Sequence, residues 1–293
     1  MSKKLVIAVS SRALFEMREE HALFQEKGTE AFVQHQIENE DVVLPKGAGF
    51  NLVKKLQKLS NKDYEIEVVL VSKNNASTGM RILNSISHYQ LGITKSAFTK
   101  GEPTTPFVVG FEACLFLSSD SKEVEAALAS GIAAATILES NRNDSEDMLR
   151  IAFDADAVLF DNGSEAIFAQ EGLDAFIKNE IENTRVALSP GPFLKFLTAL
   201  HDIQSQYPAD QNPIRTAIVT ARSNETGKRL IHSLRAVGIT VDQSYYLAGS
   251  NKGKVLASFG ADLFFDDMMR NCEDARVHVP TGHVPYIVKK STI

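Results

Sequence analysis

Tryptophan is absent from the 293-residue chain, and cysteine occurs only at Cys114 and Cys272. These two lie far apart and lack CxxC spacing, and Cys114 sits between apolar residues, a pattern of reduced, buried thiols rather than of a disulfide framework. The seven histidines form no HxH or HExxH, which disfavours a zinc site. No uncharged apolar stretch reaches the roughly 18 residues that a membrane-spanning helix needs. The run Leu5–Val9 behind Met1-Ser-Lys-Lys stops at Ser10, Ser11 and Arg12, too early for a signal peptide, so a cytoplasmic protein with no membrane partner is expected. A Lys/Arg-rich block is also missing. With 31 Lys+Arg against 37 Asp+Glu and a net charge of −6, the chain lacks the phosphate-neutralising surface that nucleic-acid binding draws on.

What remains, 44% hydrophobic and 23% charged residues, is the profile of a globular protein long enough for two domains or one large one. Two internal matches favour a repeat. Val71–Ile86 resembles Val219–Leu234, with Thr78-Gly79, Arg81 and Ser85 recurring 148 positions later at Thr226-Gly227, Arg229 and Ser233. Ala31–Asn39 resembles Ala175–Asn183 at a spacing of 144. Extended outward, Leu5–Val9 falls on Leu149–Phe153 and Cys114–Leu117 on Asp262–Phe265, so each half reads as one α/β unit.

In the second half, apolar runs predict strands at Ile151–Phe153, Ile214–Val219, Ser244–Leu247 and Leu263–Phe265. Helical spacing predicts helices at Pro192–Ile203, Thr226–Val237 (ended by Gly238) and Gly253–Phe259. Alternation of strand and helix implies a parallel sheet. The segment at about 162–189, with an amphipathic stretch at Gly172–Ile181, is longer than a tight strand–helix loop and reads as a small inserted cap. The polar run Ser140–Asp147 marks the expected boundary, dividing the chain into residues 1–143 and 144–293.

Ligands of open parallel sheets bind beyond the carboxyl ends of the strands. In the second half those ends carry Asp154 and Asp156, Thr220-Ala-Arg222, and Asp266-Asp267. Converging carboxylates repel one another unless a cation screens them, and hard oxygen ligands suit Mg²⁺. Lys252, with Lys254 as the second choice, would add a fixed positive charge beside a phosphoryl group. Gly47-Ala-Gly49 lacks the preceding strand and third glycine of a dinucleotide motif, and Gly249–Lys254 lacks the P-loop spacing.

Asp154-x-Asp156-x-Val158, a strand-ending Thr220, Lys252 and Asp266-Asp267 resemble, in order, the four motifs of haloacid-dehalogenase-type phosphatases. Ala8–Phe15, Asn84–Tyr89, Gly131–Ile137, Ala152–Phe160, Val219–Ser223 and His283–Tyr286 extend the likeness over nearly the whole chain, to the cytosolic class I 5'-nucleotidases. The resemblance implies an α/β fold: a Rossmann-like parallel sheet of haloacid-dehalogenase type with a small cap, built from two duplicated halves. It further implies Mg²⁺-dependent hydrolysis of nucleoside 5'-monophosphates, AMP- or IMP-like and including deoxy forms, to nucleoside and phosphate. In that scheme Asp154 is the nucleophile and Asp156 the general acid and base. Thr220 and Lys252 hold phosphoryl oxygens. Asp154, the backbone carbonyl of Asp156, Asp266 and Asp267 form or support the metal site.

At the matching places of the first half stand Ser10, Ser72, Thr104 and Ser118-Ser119, without nucleophile, metal ligand or lysine, so that half is expected not to turn over phosphate. Candidate substrate contacts are Arg222 and Ser223, beside which helix capping at Ser223 or Asn224 is an equal reading, and Ser10, Ser11, Arg12, Asn74, Asn75 and His88, which line a cleft or merely cap helices. Asp267 has a further alternative, that of capping a helix at Met268. Two other functions stay open: a phosphatase for another small phosphomonoester such as a sugar phosphate, and a catalytically silent nucleotide-binding regulator. The oligomeric state is also left open, a homo-oligomer included.

Overall fold

The computed structural model describes residues 3–138, 140 and 147–286, and the chain divides into two compact units, Met1–Ile132 and Ala133–Ile293. The polar run at which a boundary is expected lies, at 141–146, outside the described residues. Among the described residues no helix is long and apolar enough to cross a membrane.

The first unit carries β1 (Lys3–Ser10), β2 (Tyr64–Ser72), β3 (Lys95–Phe98) and β4 (Leu115–Ser118) in the order β3-β2-β1-β4, all parallel. Five consecutive residues of β1, Leu5–Val9, are buried, as expected where a parallel strand is covered on both faces. Register sets Val9 beside Leu70 and Leu117, so Ser10, Ser72 and Ser118 all leave the sheet at one edge.

The second unit holds β5 (Ala133–Leu138), β6 (Leu149–Phe153), β7 (Ile214–Thr220), β8 (Gln243–Tyr246), β9 (Leu263–Asp266) and β10 (Thr281–His283). Their order is β8-β7-β6-β9-β10-β5, parallel throughout except for the antiparallel pair of β5 and β10. The expected parallel sheet therefore contains one antiparallel pair.

Strand alternation builds two cores from adjacent residues. Ala152, Ala217, Val219 and Phe264 pack with Leu256 and Phe259 of the helix Gly253–Phe259 and with Ala275 of the helix Met269–Arg276. Their neighbours Phe153 and Phe265 stack at 5.6 Å and meet Phe193, whose ring centroid lies 4.6 Å from that of Phe265. Phe196, on the helix Leu194–Gln204, closes on Phe153 at 6.4 Å. Each fully buried Phe stabilises by roughly 2–3 kcal/mol. Because Asp154 follows Phe153 and Asp266 follows Phe265, this aromatic layer anchors the chain directly beneath both carboxylates.

Most expected elements lie within two residues of their observed bounds, and the helix Gly253–Phe259 coincides with its expectation. The amphipathic stretch expected at Gly172–Ile181 is the helix Leu173–Glu182, and a further helix, Gly163–Glu171, precedes it, the two separated at Gly172 (φ 87), a left-handed conformation that glycine adopts without a Cβ penalty.

Candidate active site

Parallel register brings Asp154, Thr220 and Asp266 to the same edge of the second unit, since Phe153 pairs with both Ile218 and Phe265. Lys252, immediately before the helix Gly253–Phe259, is buried, whereas Lys254 is exposed. Its Nζ lies 2.9 Å from Asp154 Oδ1 and 2.6 Å from Asp266 Oδ2. Asp154 Oδ1 also accepts the Ala155 N–H at 2.8 Å. Asp266, wholly buried, accepts the Met268 N–H at 2.8 Å and the Asn271 amide at 3.1 and 3.2 Å. Asp267 is half-buried, and its carbonyl oxygen meets His283 Nε2 at 2.9 Å. The following helix starts at Met269 with no side-chain cap, so Asp267 does not serve as its cap.

One carboxylate oxygen each from Asp154, Asp266 and Asp267 lies within 4.8 Å of the others. Burial pushes the Asp154 carboxyl up to about 7; Lys252 opposes this shift, and Asp266 and Asp156 add to it. Burial, with the charges of Asp154, Glu165 and Asp266, pushes Asp267 up to about 9. Glu165 is raised by burial and by Asp156 and Asp266. The Lys252 ammonium, although buried, is held above its usual value by Asp154 and Asp266. Three carboxylates thus face one ammonium, and an all-oxygen donor set carrying surplus negative charge fits a hard divalent cation.

Thr220 ends β7, buried, and its hydroxyl accepts the Arg222 N–H at 3.2 Å. Arg222 does not stand free for phosphate or ribose. Its guanidinium grips Asp156 with two bonds, Nε to Oδ2 at 2.8 Å and Nη2 to Oδ1 at 2.6 Å. Nη1 bonds Glu180, and the guanidinium carbon lies 5.4 Å from the Phe176 ring centroid. Glu180 is fully buried and also takes Arg229 Nη1 at 2.9 Å and Ser164 Oγ at 2.7 Å. The Asp156 side chain is therefore tied into this second network, outside the Asp154–Asp266–Asp267 group. Ala157, at φ 57, turns the backbone just after it. Ser223 Oγ accepts the Thr226 N–H at 3.3 Å and the Ser223 N–H donates to Thr226 Oγ1 at 3.0 Å, ahead of the helix Gly227–Ala236.

The remaining candidates belong to the first unit. Ser10 caps a short helix through the Ala13 N–H at 3.3 Å, and Ser11 bonds Ser72 at 3.0 Å. Asn75 accepts the Thr78 N–H at 2.8 Å. Arg12 and Asn74 line a cavity of that unit with Ser10, Ser11 and Asn75, whereas His88 is exposed on the helix Met80–His88 and does not line it.

Sequence reasoning missed Glu180, Ser164, Arg229, Glu165 and Asn271. Of these only Arg229 left a signal, its recurrence with Arg81, and the matched stretch Ala175–Asn183 ran through Glu180 without marking it.

A family model described as 5'-nucleotidase matches residues 1–291. Human cytosolic 5'-nucleotidase 1B is 33% identical over 287 residues, which is 93% of this chain and 47% of that protein, so the chain spans about half the length of this curated relative. A solved structure of histidinol dehydrogenase from Elizabethkingia anophelis is matched with a TM-score of 0.24 and 8% identity, over 96% of this chain and 52% of that one, a likeness too low to bear on the fold.

Proposed function

Because the chain belongs to the 5'-nucleotidase family, we propose that it hydrolyses nucleoside 5'-monophosphates, AMP- or IMP-like and including deoxy forms, to nucleoside and phosphate at the Asp154 site. The observation that carries this reading is the buried group Asp154–Lys252–Asp266–Asp267 at the carboxyl edge of the sheet. A carboxylate oxygen of Asp154 attacks phosphorus, the bond to the 5'-oxygen breaks, and Asp156 delivers a proton to the departing alkoxide. Asp156 then takes a proton from water, whose oxygen attacks the aspartyl-phosphate, releasing phosphate and restoring Asp154. Proton delivery requires Asp156 to give up at least one of its two bonds to Arg222. Lys252 and the Thr220 hydroxyl hold the phosphoryl oxygens. Asp154, Asp266 and Asp267, with the Asp156 carbonyl, would hold Mg²⁺, which when bound supplies charge neutralisation at the phosphoryl group.

In the same reading the chain is a duplicated, haloacid-dehalogenase-type protein with one active copy in about 144–293 and a silent one in about 1–143. It is supported by the strand order 3-2-1-4, which recurs as 8-7-6-9. Paired contacts support it too: the Leu44 N–H donates to Ser85 and the Leu188 N–H to Ser233, each at 2.9 Å. A cytoplasmic setting is proposed from the cytosolic relative.

The test is phosphate release from AMP, IMP, dAMP, CMP, glucose 6-phosphate and p-nitrophenyl phosphate, with Mg²⁺ or EDTA, for wild type and Asp154→Asn. Metal-dependent release confined to nucleotides and abolished by the substitution is expected. Faster release from the sugar phosphate would redirect the assignment to another phosphomonoester, and no release with nucleotide binding intact would make the protein a regulator.

A further inference from the structure

We propose that the first unit holds a nucleoside-binding cavity that recognises base and ribose and performs no chemistry. The cavity encloses about 490 Å³ within that unit, inside the roughly 300–1,000 Å³ range of small-ligand pockets. Its position follows from the repeat. In the second unit the Arg222 guanidinium lies against Phe176 and joins Asp156 to Glu180. At the matching positions, 148 or 144 residues earlier, stand Asn74, Phe32, Arg12 and Gln36. The long cation is replaced by a short amide and the buried carboxylate by a neutral one, so the ionic bridge cannot form, and Asn74, Phe32 and Arg12 line open space instead.

The polar groups around this space suit a neutral heterocycle on a sugar. The buried Nδ2 of Asn74, which lines the cavity, has no hydrogen-bond partner among the described residues. An unpartnered buried donor suits an acceptor on the edge of a nucleobase. Phe24 and Phe32, edge to face at 5.9 Å, supply an aromatic wall for its plane. The hydroxyls of Ser10, Ser11 and Ser72 also line the cavity and would meet the sugar.

Phosphate is not the group recognised. The charged lining residues balance, with Arg12, Lys73 and Lys100 against Glu20, Asp120 and Glu123. Lys73 is shared between Asp120 at 2.9 Å and Glu123 at 2.7 Å. Burial and the neighbouring Arg12 lower the His21 imidazole toward its neutral form.

The experiment is calorimetric titration of the full-length Asp154→Asn chain, in EDTA, with adenosine, ribose 5-phosphate and inorganic phosphate as probes. One adenosine per chain is expected. Val33→Trp, which fills the cavity, and Asn74→Leu, which removes its unpartnered donor, should each weaken binding at least tenfold with melting curves still cooperative. Three outcomes would overturn the proposal: no adenosine binding, adenosine binding unchanged in both variants, or binding of ribose 5-phosphate or phosphate in preference to adenosine. The nucleotidase assignment fails separately, through absent phosphate release by the unsubstituted chain.

Discussion

Glu180→Gln probes the buried network that holds Asp156. Glu180 accepts from Arg222, from Arg229 at 2.9 Å, from Ser164 at 2.7 Å and from Asn179 at 3.0 Å, with no exposure to solvent. A glutamine presents an NH₂ group to a guanidinium that is itself only donors, and it leaves the Arg222 charge, 2% exposed, with Asp156 as its one remaining carboxylate. Removing one partner of a buried ion pair costs roughly 3–5 kcal/mol. For a body of about 150–250 residues each kcal/mol shifts Tm by about 2–4 °C, so a fall of roughly 6–20 °C is expected in thermal unfolding followed by circular dichroism. Phosphate release should fall too, because Asp156 loses the fixed position of its Arg222 partner. Adding Arg222→Met removes the orphaned charge, and the double variant should lose less stability than the two single losses added together. The pH dependence has a defined sign. Burial pushes the Glu180 carboxyl up, but Arg222, Ser164 and Arg229 outweigh it and hold the group below its usual 4.5. Its contribution is therefore present above that value and lost as pH falls through the lower folded pKa, so wild type and Glu180→Gln should converge in acid. A Tm change below about 2 °C, set against the cost expected for a buried pair, or strict additivity in the double variant, would refute the reasoning.

Metal linkage gives a second expectation. Without metal, the folded chain keeps protons on Asp154 up to about 7 and on Asp267 up to about 9, so its stability should fall as pH rises from the ordinary aspartate value of 3.8 through that window. The rise in Tm produced by Mg²⁺ should accordingly be larger near the upper end of the window than at its lower end, and an equal rise at both ends would contradict it. For phosphate release, Asp154→Asn should abolish turnover, and Lys252→Met should cost on the order of 10²–10³ in kcat. Ser10→Ala, at the matching place of the first unit, should cost far less; equal losses would contradict the division of labour. Gly191→Ala should lower Tm, because its Cβ would sit 2.5 Å from the Phe160 carbonyl oxygen and 2.6 Å from that of Val158, both backbone atoms with little room to give.

Most strands and helices were legible because their burial is periodic or continuous along the chain. Leu149–Phe153 and Leu263–Asp266 are short apolar runs, and the polar residue closing each run is the one that reaches the functional edge. The helix Leu173–Glu182 was legible as an amphipathic stretch, whereas the helix Gly163–Glu171 before it was not, since their division at Gly172 depends on one backbone conformation. The network of Glu180 was not legible. Arg222 reads as a polar residue behind a strand and Glu180 as one acid among several on a surface helix. What distinguishes them is the approach of Glu180 to Arg222 and to Arg229 of the helix Gly227–Ala236, which makes a buried pair of them.

By itself the amino-acid sequence determined which residues end the strands and that the two halves carry unequal chemistry there: Asp154, Lys252 and Asp266 in one, Ser10, Thr104 and Ser118 in the other. These follow from residue identity and order, which need no folding to be read. The tertiary structure alone decided that Lys252 lies between two carboxylates, that Asp156 is held by Arg222, and that Asn74 and Arg12 line a cavity in the first unit. Hydrogen bonding, burial and the charge of neighbours depend on distances across residues far apart in the chain, and only packing sets those distances.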